Sequence, residues 1–175
     1  EKAGRPALRV SQEVAPWIEQ QARGEERIRL RRAYEQNVRA GVYPASETKI
    51  PLLPYQREGM LHLAFTERAM LADEMGLGKT AQAIAAAALL RRMGKVDRVL
   101  VVAPASLKAE WEEQIRLFTD LPYQLVFGDR AARKAAYEQP LFFTLANYEQ
   151  VLRDAALING SLKPDCVILD EAQRI

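Results

Sequence analysis

The sequence predicts an α/β fold in which a parallel sheet is covered by helices on both faces. From residue 50 to the end of the chain, short and continuously apolar segments alternate with segments of helical periodicity. A glycine-rich loop lies between the first of these apolar segments and a helix rich in alanine. Strands that are apolar on both sides are typical of parallel sheets, because the connecting helices bury them from two directions.

Each element is inferred from the period of its apolar residues and from the Gly and Pro residues that interrupt it. In chain order, the predicted elements are a helix from Tyr55, a strand over 69–72, a helix over 80–93, a strand over 99–102, a helix over 107–118, a strand over 124–127, a helix over 130–138, a strand over 141–144, a helix over 148–157 and a strand over 166–169. Asn159 and Gly160 predict a turn before the last strand. Because a helix separates every pair of strands, the order predicts parallel crossover connections.

Residues 1–49 are expected to form a helical appendage to this domain. They carry two stretches of helical periodicity that are interrupted near Gly24, and Gly41 and Pro44 are expected to end the second helix. The basic stretch over 23–32 has glutamates between its arginines, which favours a solvated helix face over a DNA-binding segment.

Composition and charge exclude several classes of protein. The chain is 49% hydrophobic and 27% charged, which is typical of a globular protein, and its net charge of +2 neither favours nor excludes nucleic acid. Its longest apolar run, over 83–90, is too short to cross a membrane. With one cysteine and no apolar signal core at its N-terminus, the chain is expected to be intracellular: cytoplasmic, at the nucleoid, if bacterial and nuclear if eukaryotic.

The segment DEMGLGKT, which ends at Thr80, has the pattern of a phosphate-binding loop. Gly76 and Gly78 would let backbone amides wrap a phosphate, Lys79 would reach the terminal phosphates, and the hydroxyl of Thr80 would bind magnesium. Asp73 occupies the first glycine position of the general GxxxxGK[ST] pattern. The predicted strand before the loop and the helix after it favour this interpretation over a chance glycine-rich turn.

A second motif, VILDEAQ, ends the last predicted strand with two carboxylates. Asp170 would lie in the outer shell of the magnesium ion, and Glu171 would act as the general base that takes a proton from the attacking water. Acidic residues are common where a strand meets a loop, so this motif gains its meaning from the phosphate loop upstream.

Together, DEMGLGKT and DEAQ resemble the motifs of the Swi/Snf family of helicase-like, DNA-translocating ATPases of superfamily two. The resemblance covers residues 50–175 and implies a P-loop NTPase fold of the RecA-like type. It also implies ATP and Mg²⁺ as cofactors, duplex DNA as the partner and no membrane. In this family the ATP site is completed by arginines of a second RecA-like lobe, so we expect residues 50–175 to be an incomplete first lobe with little turnover of its own.

Three further blocks of sequence are similar to the family's motifs. LLPYQREGM resembles the adenine-recognition segment, in which Gln56 would bind the base edge, whereas its residues alone favour a plain helix start. VLVVAPASLKAEWEEQI resembles a block whose loop touches the DNA backbone, which implicates Ser106 and Lys108. Pro104 and Ser106 could also simply end the strand and cap the helix, and Trp111 is expected to pack in the core. In FFTLANYEQV, Asn147 replaces the family's threonine and would contact DNA or serve as a helix N-cap.

Two alternative functions remain open from the sequence. One is an RNA helicase lobe of the same superfamily, which the DEMGLGKT and APASLKAEW blocks fit less well. The other is a nucleotide-binding or interaction module without catalysis.

Overall fold

The computed structural model describes residues 14–66, 68–72, 74 and 76–174. Its chain divides into two units, Glu1–Ala45 and Ser46–Ile175, and each is described by itself. Within the described residues, no helix has both the length and the apolar character that a membrane crossing requires.

The first unit contains a single helix, α1 (Ala15–Arg39), within its described residues. The sequence-based expectation of two helices interrupted near Gly24 is therefore wrong. A glycine inside a helix costs only about 1 kcal/mol relative to alanine, and surface ion pairs such as Glu19 with Arg23 support the turns on either side. The helix ends before Gly41, whose φ of 72° stops it as expected.

The second unit alternates helices and strands. Its elements are α2 (Pro54–Ala64), α3 (Lys79–Arg92), β1 (Val99–Val102), α4 (Lys108–Phe118), β2 (Tyr123–Leu125), α5 (Arg130–Glu138), β3 (Phe143–Ala146), α6 (Tyr148–Leu157) and β4 (Cys166–Leu169). Short 3₁₀ turns lie at Ala105–Leu107 and Ala172–Arg174, and a π-helical turn, Ile158–Leu162, extends α6.

The four strands form one sheet in the order β2-β3-β1-β4, and all its pairings are parallel. The central strands β1 and β3 are buried along their whole length. In the edge strand β4, exposure alternates along the chain: Cys166 and Ile168 are partly buried, whereas Val167 and Leu169 are about half exposed. The predicted parallel sheet is thus confirmed.

Helices cover both faces of the sheet, as the sequence predicts. Alternate residues of β1 point to opposite faces, because side chains along a strand alternate. One core cluster joins α3 and α4 to the sheet and includes Ile84, Ala87, Val99, Val101, Trp111, Ile115, Phe143 and Leu145. The cluster on the other face joins α5 and the π-helical turn to the sheet through Leu100, Val102, Tyr137, Ala146, Ile158 and Leu162.

An ion pair whose carboxylate is buried joins α5 to α6 on the second face. The guanidinium of Arg133 donates two hydrogen bonds to the carboxylate of Asp154, at 2.6 and 2.9 Å, and the hydroxyl of Tyr137 donates a third at 3.3 Å. These hydrogen bonds, above all those from Arg133, lower the pKa of Asp154. Burial raises the pKa of Tyr137, so its phenol keeps its proton.

Several predicted boundaries are corrected by the structure. No strand forms over 69–72: these residues run without a ladder partner among the described residues, and Met70 is 79% exposed. A strand needs cross-strand packing, which the two alanines of this segment supply poorly. The strands predicted over 124–127 and 141–144 are shifted to β2 and β3, and the turn predicted at 159–160 is the π-helical turn.

Candidate phosphate-binding site

The phosphate loop leads directly into α3. Gly78 is the N-cap of this helix with φ 75° and ψ 37°, and Gly76 has φ 83°, so both lie in the left-handed region that favours glycine. Lys79 and Thr80 are the first two residues of the helix. Among the described residues, no side chain caps α3 and its first turn holds no acid. The amides of this turn are therefore suited to an anion.

Two glutamines hold the loop from the helices beside it. The carbonyl of Leu77 accepts the side-chain amide of Gln56, from α2, and that of Gln82, from α3, each at 3.3 Å. The oxygen of Gln56 accepts the backbone N–H of Leu53 at 3.0 Å. A Cβ at Gly78 would collide with the nitrogen of Gln56. The structure thus brings Gln56, the residue predicted to recognise adenine, against the phosphate loop.

Gln82 is a residue of this site that the sequence analysis missed. Its side chain is fully buried, and a Cβ at Gly59 of α2 would collide with its oxygen. The signal was present in the sequence, since a lone amide in an alanine-rich buried helix needs a polar partner. Here that partner is the loop itself.

Lys79 reaches back across the loop. Its ammonium donates to the carbonyl of Glu74 at 3.0 Å. Asp73 and Met75, which complete the loop motif, lie outside the described residues. The ammonium thus lies against the loop backbone, where a phosphate bound by the loop would meet it.

The acidic motif follows β4, and its first carboxylate is held firmly. Trp111 donates its indole N–H to Oδ2 of Asp170 at 2.8 Å, and the backbone N–H of Glu171 donates to Oδ1 at 3.0 Å. The hydroxyl of Tyr148 donates to the backbone carbonyl of Asp170 at 2.6 Å. Trp111 packs in the core as predicted, but no sequence pattern indicates its bond to Asp170 or the role of Tyr148.

Glu171 has an unusual backbone. Its φ of 55° is in the left-handed region, which costs a side chain other than glycine of order 1 kcal/mol or more. Its carboxylate accepts a hydrogen bond from the amide of Gln173. Strain of this kind is often found at functional positions, and here it falls on the predicted general base.

The phosphate loop and the acidic motif lie at the same edge of the sheet. The last turn of α3 lies at the amino ends of the strands, where the guanidinium of Arg91 sits 4.7 Å from the ring centre of Phe142, just before β3. Ile84 and Ala87 pack the rest of α3 on the sheet, so we infer that its first residues, Lys79 and Thr80, lie toward the carboxyl ends of the strands. Asp170 follows β4 at that same edge.

The donor set at this edge fits a magnesium ion. The hydroxyl of Thr80 and the carboxylate of Asp170 are the oxygen ligands that Mg²⁺ prefers. Each carboxylate oxygen of Asp170 accepts a hydrogen bond from the protein and has a second lone pair for a water of a hydrated cation. Among the described residues, no cluster of three or more His, Cys, Asp or Glu offers a different metal site.

The predicted nucleic-acid residues lie at the same edge but differ in exposure. Ser106 is exposed in the turn between β1 and α4. Lys108 is only 3% exposed: its ammonium donates to the carbonyl of Val126 at 2.5 Å and lies 4.0 Å from the ring centre of Phe127. Burial lowers the pKa of Lys108 to about 8. A phosphate contact would require this side chain to leave its partners.

Asn147 is the N-cap of α6. Its side-chain oxygen accepts the backbone N–H of Gln150 at 2.8 Å, and the side-chain oxygen of Gln150 accepts the backbone N–H of Asn147 at 3.0 Å. This reciprocal pair is a capping box. The N-cap interpretation of Asn147 is therefore confirmed, while a DNA contact by the same residue stays a prediction.

Comparison with known proteins gives a consistent result. The family model described as "SNF2-related domain" matches residues 55–175. The chain is 31% identical over 144 residues to chromodomain-helicase-DNA-binding protein 7 of Gallus gallus, which covers 71% of this chain and 5% of that protein. It is 36% identical over 120 residues to the chromatin-remodeling ATPase INO80 of Neurospora crassa, which covers 61% of this chain and 6% of that protein.

A solved structure shares the fold. The SWI2/SNF2 ATPase core of Sulfolobus solfataricus in complex with dsDNA superposes with a TM-score of 0.66 at 30% sequence identity, over 74% of this chain and 28% of that one. The chain therefore spans only a small part of the relatives it matches. The family model covers more than half of the chain, together with the phosphate loop and the acidic motif. The chain belongs to the SNF2-related domain family.

Proposed function

We propose that this chain is the ATP-binding part of the first RecA-like lobe of an ATP-dependent translocase on double-stranded DNA. One observation carries the proposal: the phosphate loop with its uncapped α3, the braced carboxylate Asp170 and the exposed loop at Ser106 share one edge of a parallel sheet. The relatives named as ATPase and helicase-DNA-binding protein, and a similar core solved with dsDNA, support it.

The geometry supports a division of roles in ATP hydrolysis. The backbone around Gly76 and Gly78 and the ammonium of Lys79 would bind the phosphates. Thr80 and Asp170 would hold the magnesium ion, which when bound offsets the charge on the phosphoryl oxygens. The carboxylate of Glu171 would take the proton of the attacking water at Oε1, since Gln173 holds Oε2.

Base recognition falls to Gln56 in this proposal. Its amide both donates and accepts, as adenine requires, and it already lies against the phosphate loop. Binding of adenine would exchange its bonds to Leu77 and Leu53 for bonds to the base. Such an exchange would link base recognition to the position of the loop.

The proposal extends to partners and organisation. Residues 1–49 would be a helical appendage and residues 50–175 the incomplete first lobe, with a second RecA-like lobe closing the ATP site. Duplex DNA would meet Ser106 and Asn147 at the carboxyl edge of the sheet, with Lys108 as a contact only after rearrangement. The protein would work where DNA is, in the bacterial nucleoid or the eukaryotic nucleus, without a membrane partner.

ATP hydrolysis by the full-length protein that contains this chain tests the proposal. We expect duplex DNA to stimulate hydrolysis and Lys79→Ala to lower the rate by about 100-fold or more, because a charge that stabilises the transition state is lost. Lys95→Ala, at an exposed lysine just after α3, is the matched control. A rate that ignores both DNA and Lys79→Ala would contradict the proposal, and stimulation by RNA alone would favour an RNA helicase.

A further inference from the structure

The backbone and side chain of Asp170 are tied to two neighbouring helices. Its Oδ2 accepts the indole N–H of Trp111 from α4, at 2.8 Å, and its carbonyl accepts the hydroxyl of Tyr148 from α6, at 2.6 Å. Its own N–H donates to Val102 of β1 at 2.8 Å, which extends the sheet to this residue. The proposed magnesium carboxylate is therefore fixed from three sides.

Both helices begin at loops that the proposed function assigns to DNA. The turn with Ser106 leads directly into α4, and Trp111 lies one turn further along that helix. Asn147 is the N-cap of α6, and Tyr148 is the next residue. Each proposed DNA contact is thus separated from a hydrogen bond to Asp170 by at most about one helical turn.

The starts of the two helices are also joined to each other. The ammonium of Lys108, the first residue of α4, and the amide of Gln150, in the first turn of α6, both donate to the carbonyl of Val126, at 2.5 and 2.9 Å. Gln150 also completes the capping box with Asn147. The two loops therefore cannot move independently without breaking these hydrogen bonds.

We infer that Trp111 and Tyr148 are positioning residues that brace Asp170, so that DNA bound at the loops before α4 and α6 controls the magnesium side of the ATP site. The inference rests on the proposed function. Partners that orient a metal-binding carboxylate typically change metal affinity or activity by about 10- to 100-fold when they are removed. The indole N–H of Trp111 has a further reason to keep its acceptor, since the residue is buried and an unpaired buried donor is costly.

The brace itself is tested by ¹H–¹⁵N NMR of the 175-residue chain. The chain has two tryptophans, so Trp17→Phe leaves the indole of Trp111 as the only such signal. Adding Asp170→Ala is expected to shift this signal and to speed its hydrogen exchange by about 10-fold or more, because a bond to a charged acceptor is lost. The readout does not depend on nucleotide, magnesium or DNA.

Asp165→Ala is the control for this experiment. Asp165 precedes β4 at its other end, where its carboxylate accepts the backbone N–H groups of Asp97 and Arg98. The control is expected to leave the indole signal in place. An indole that does not respond to Asp170→Ala, or responds equally to Asp165→Ala, would overturn the brace.

The coupling to DNA is tested in the full-length protein by ATP hydrolysis over a range of Mg²⁺ concentrations, with and without linear duplex DNA. Trp111→Phe and Tyr148→Phe are each expected to raise the half-saturating Mg²⁺ concentration by about 10-fold and to reduce the stimulation by DNA. Trp17→Phe and Tyr123→Phe are matched controls, because Tyr123 donates its hydroxyl to Glu112 rather than to Asp170. Since Tyr148→Phe removes a single oxygen atom, it decides the test if Trp111→Phe does not fold.

The outcomes separate the two proposals. A lower thermal unfolding midpoint with unchanged Mg²⁺ dependence and unchanged DNA stimulation would reduce both residues to structural ones and overturn the inference. If DNA fails to stimulate even the unaltered protein, the proposed function fails and the coupling with it. The NMR result then still decides whether Trp111 braces Asp170.

Discussion

The two halves of the candidate ATP site are held in different ways. On one side, the amides of Gln56 and Gln82 hold the phosphate loop through two long hydrogen bonds to the carbonyl of Leu77, both at 3.3 Å, and Lys79 donates to the carbonyl of Glu74 at 3.0 Å. On the other side, Asp170 accepts shorter hydrogen bonds of 2.6 to 3.0 Å, with donors from α4, from α6 and from the next residue, Glu171.

This difference indicates a division of labour in the site. A carboxylate that must orient a hydrated cation gains from being fixed before the ligand arrives, because the ordering cost has then been met in folding. Among the described residues, no side chain caps the first turn of α3, so a phosphate can bond to the amides of this turn. In the proposed site, the carboxylate side would be fixed before the ligand binds, and the phosphate side would be completed by its ligand.

We expect the largest loss of stability from breaking the ion pair of Arg133 and Asp154, which supports α6 on the Asp170 side of the site. Asp154→Asn would remove the charged partner of the partly buried guanidinium of Arg133, and the break would loosen α6, which carries Tyr148. Because Arg133 is only partly buried and keeps its hydrogen bond to the carbonyl of Gly128, we expect the loss to be that of charge-assisted hydrogen bonds, about 2 to 3 kcal/mol in the free energy of unfolding, measured by urea denaturation. Asp120→Asn, at a pair whose aspartate is 87% exposed, should cost no more than about 0.5 kcal/mol.

The same ion pair sets a pH dependence of stability. Because the folded pKa of Asp154 is lowered, its contribution is complete above the unfolded value of about 3.9 and is lost as the pH falls through the lower, folded pKa. The difference in unfolding free energy between the unaltered chain and Asp154→Asn should therefore shrink below about pH 4. A difference that stays constant from pH 7 to pH 3 would show that the charge of Asp154 is not the stabilising feature.

For the phosphate loop we expect a smaller, local effect, and two glycine variants should differ in its size. Gly78→Ala places a Cβ against the nitrogen of Gln56 in a residue with φ 75°, so we expect ATP affinity to fall by about 100-fold in calorimetric titration. Gly76→Ala has the same kind of φ but open space around the Cβ, so strain alone should cost about 10-fold. Equal losses would mean that contact with Gln56 does not shape the loop.

A glycine outside the loop provides the control for this pair. Gly160 does not have a positive φ, and a Cβ added there would meet no atom within 4 Å, so Gly160→Ala should leave ATP affinity unchanged. A similar loss in this variant would point to general destabilisation instead of an effect on the loop.

Much of the fold follows from short-range pattern. The limits of α5, α6, β1 and β4 match the predicted ones, because each is bounded by a clear change in period or by a capping residue such as Asn147. Local pattern wrongly predicts a strand over 69–72. A strand is stabilised by its neighbours in the sheet, and no pattern within the segment reveals whether a neighbour is present.

The candidate site shows the same limit at the level of side chains. Its glycines and carboxylates could be found from motif spacing, since the loop and the strand end are local features. The bonds from Trp111 and Tyr148 to Asp170 join residues 59 and 22 positions apart, and only the fold brings them together. Lys108 is the clearest case: a lysine beside a predicted DNA loop suggests a phosphate contact, yet its ammonium is buried on the carbonyl of Val126.

The smallest expected effect concerns Lys108 and has a definite sign. With a folded pKa of about 8 and an unfolded value of about 10.4, the unfolded chain binds more protons between these pH values, so folding stability should rise with pH in that window. Lys108→Met removes this titration while keeping a long apolar stem, and Val126 retains the amide of Gln150 as a donor. At pH 7 we expect a change of about 1 kcal/mol or less, because relief of the buried charge offsets the lost hydrogen bond. Urea denaturation from pH 7 to pH 10 should show the unaltered chain gaining stability relative to Lys108→Met. If the difference in unfolding free energy between the two chains stays constant over this range, the ammonium of Lys108 is in solvent and free to contact DNA.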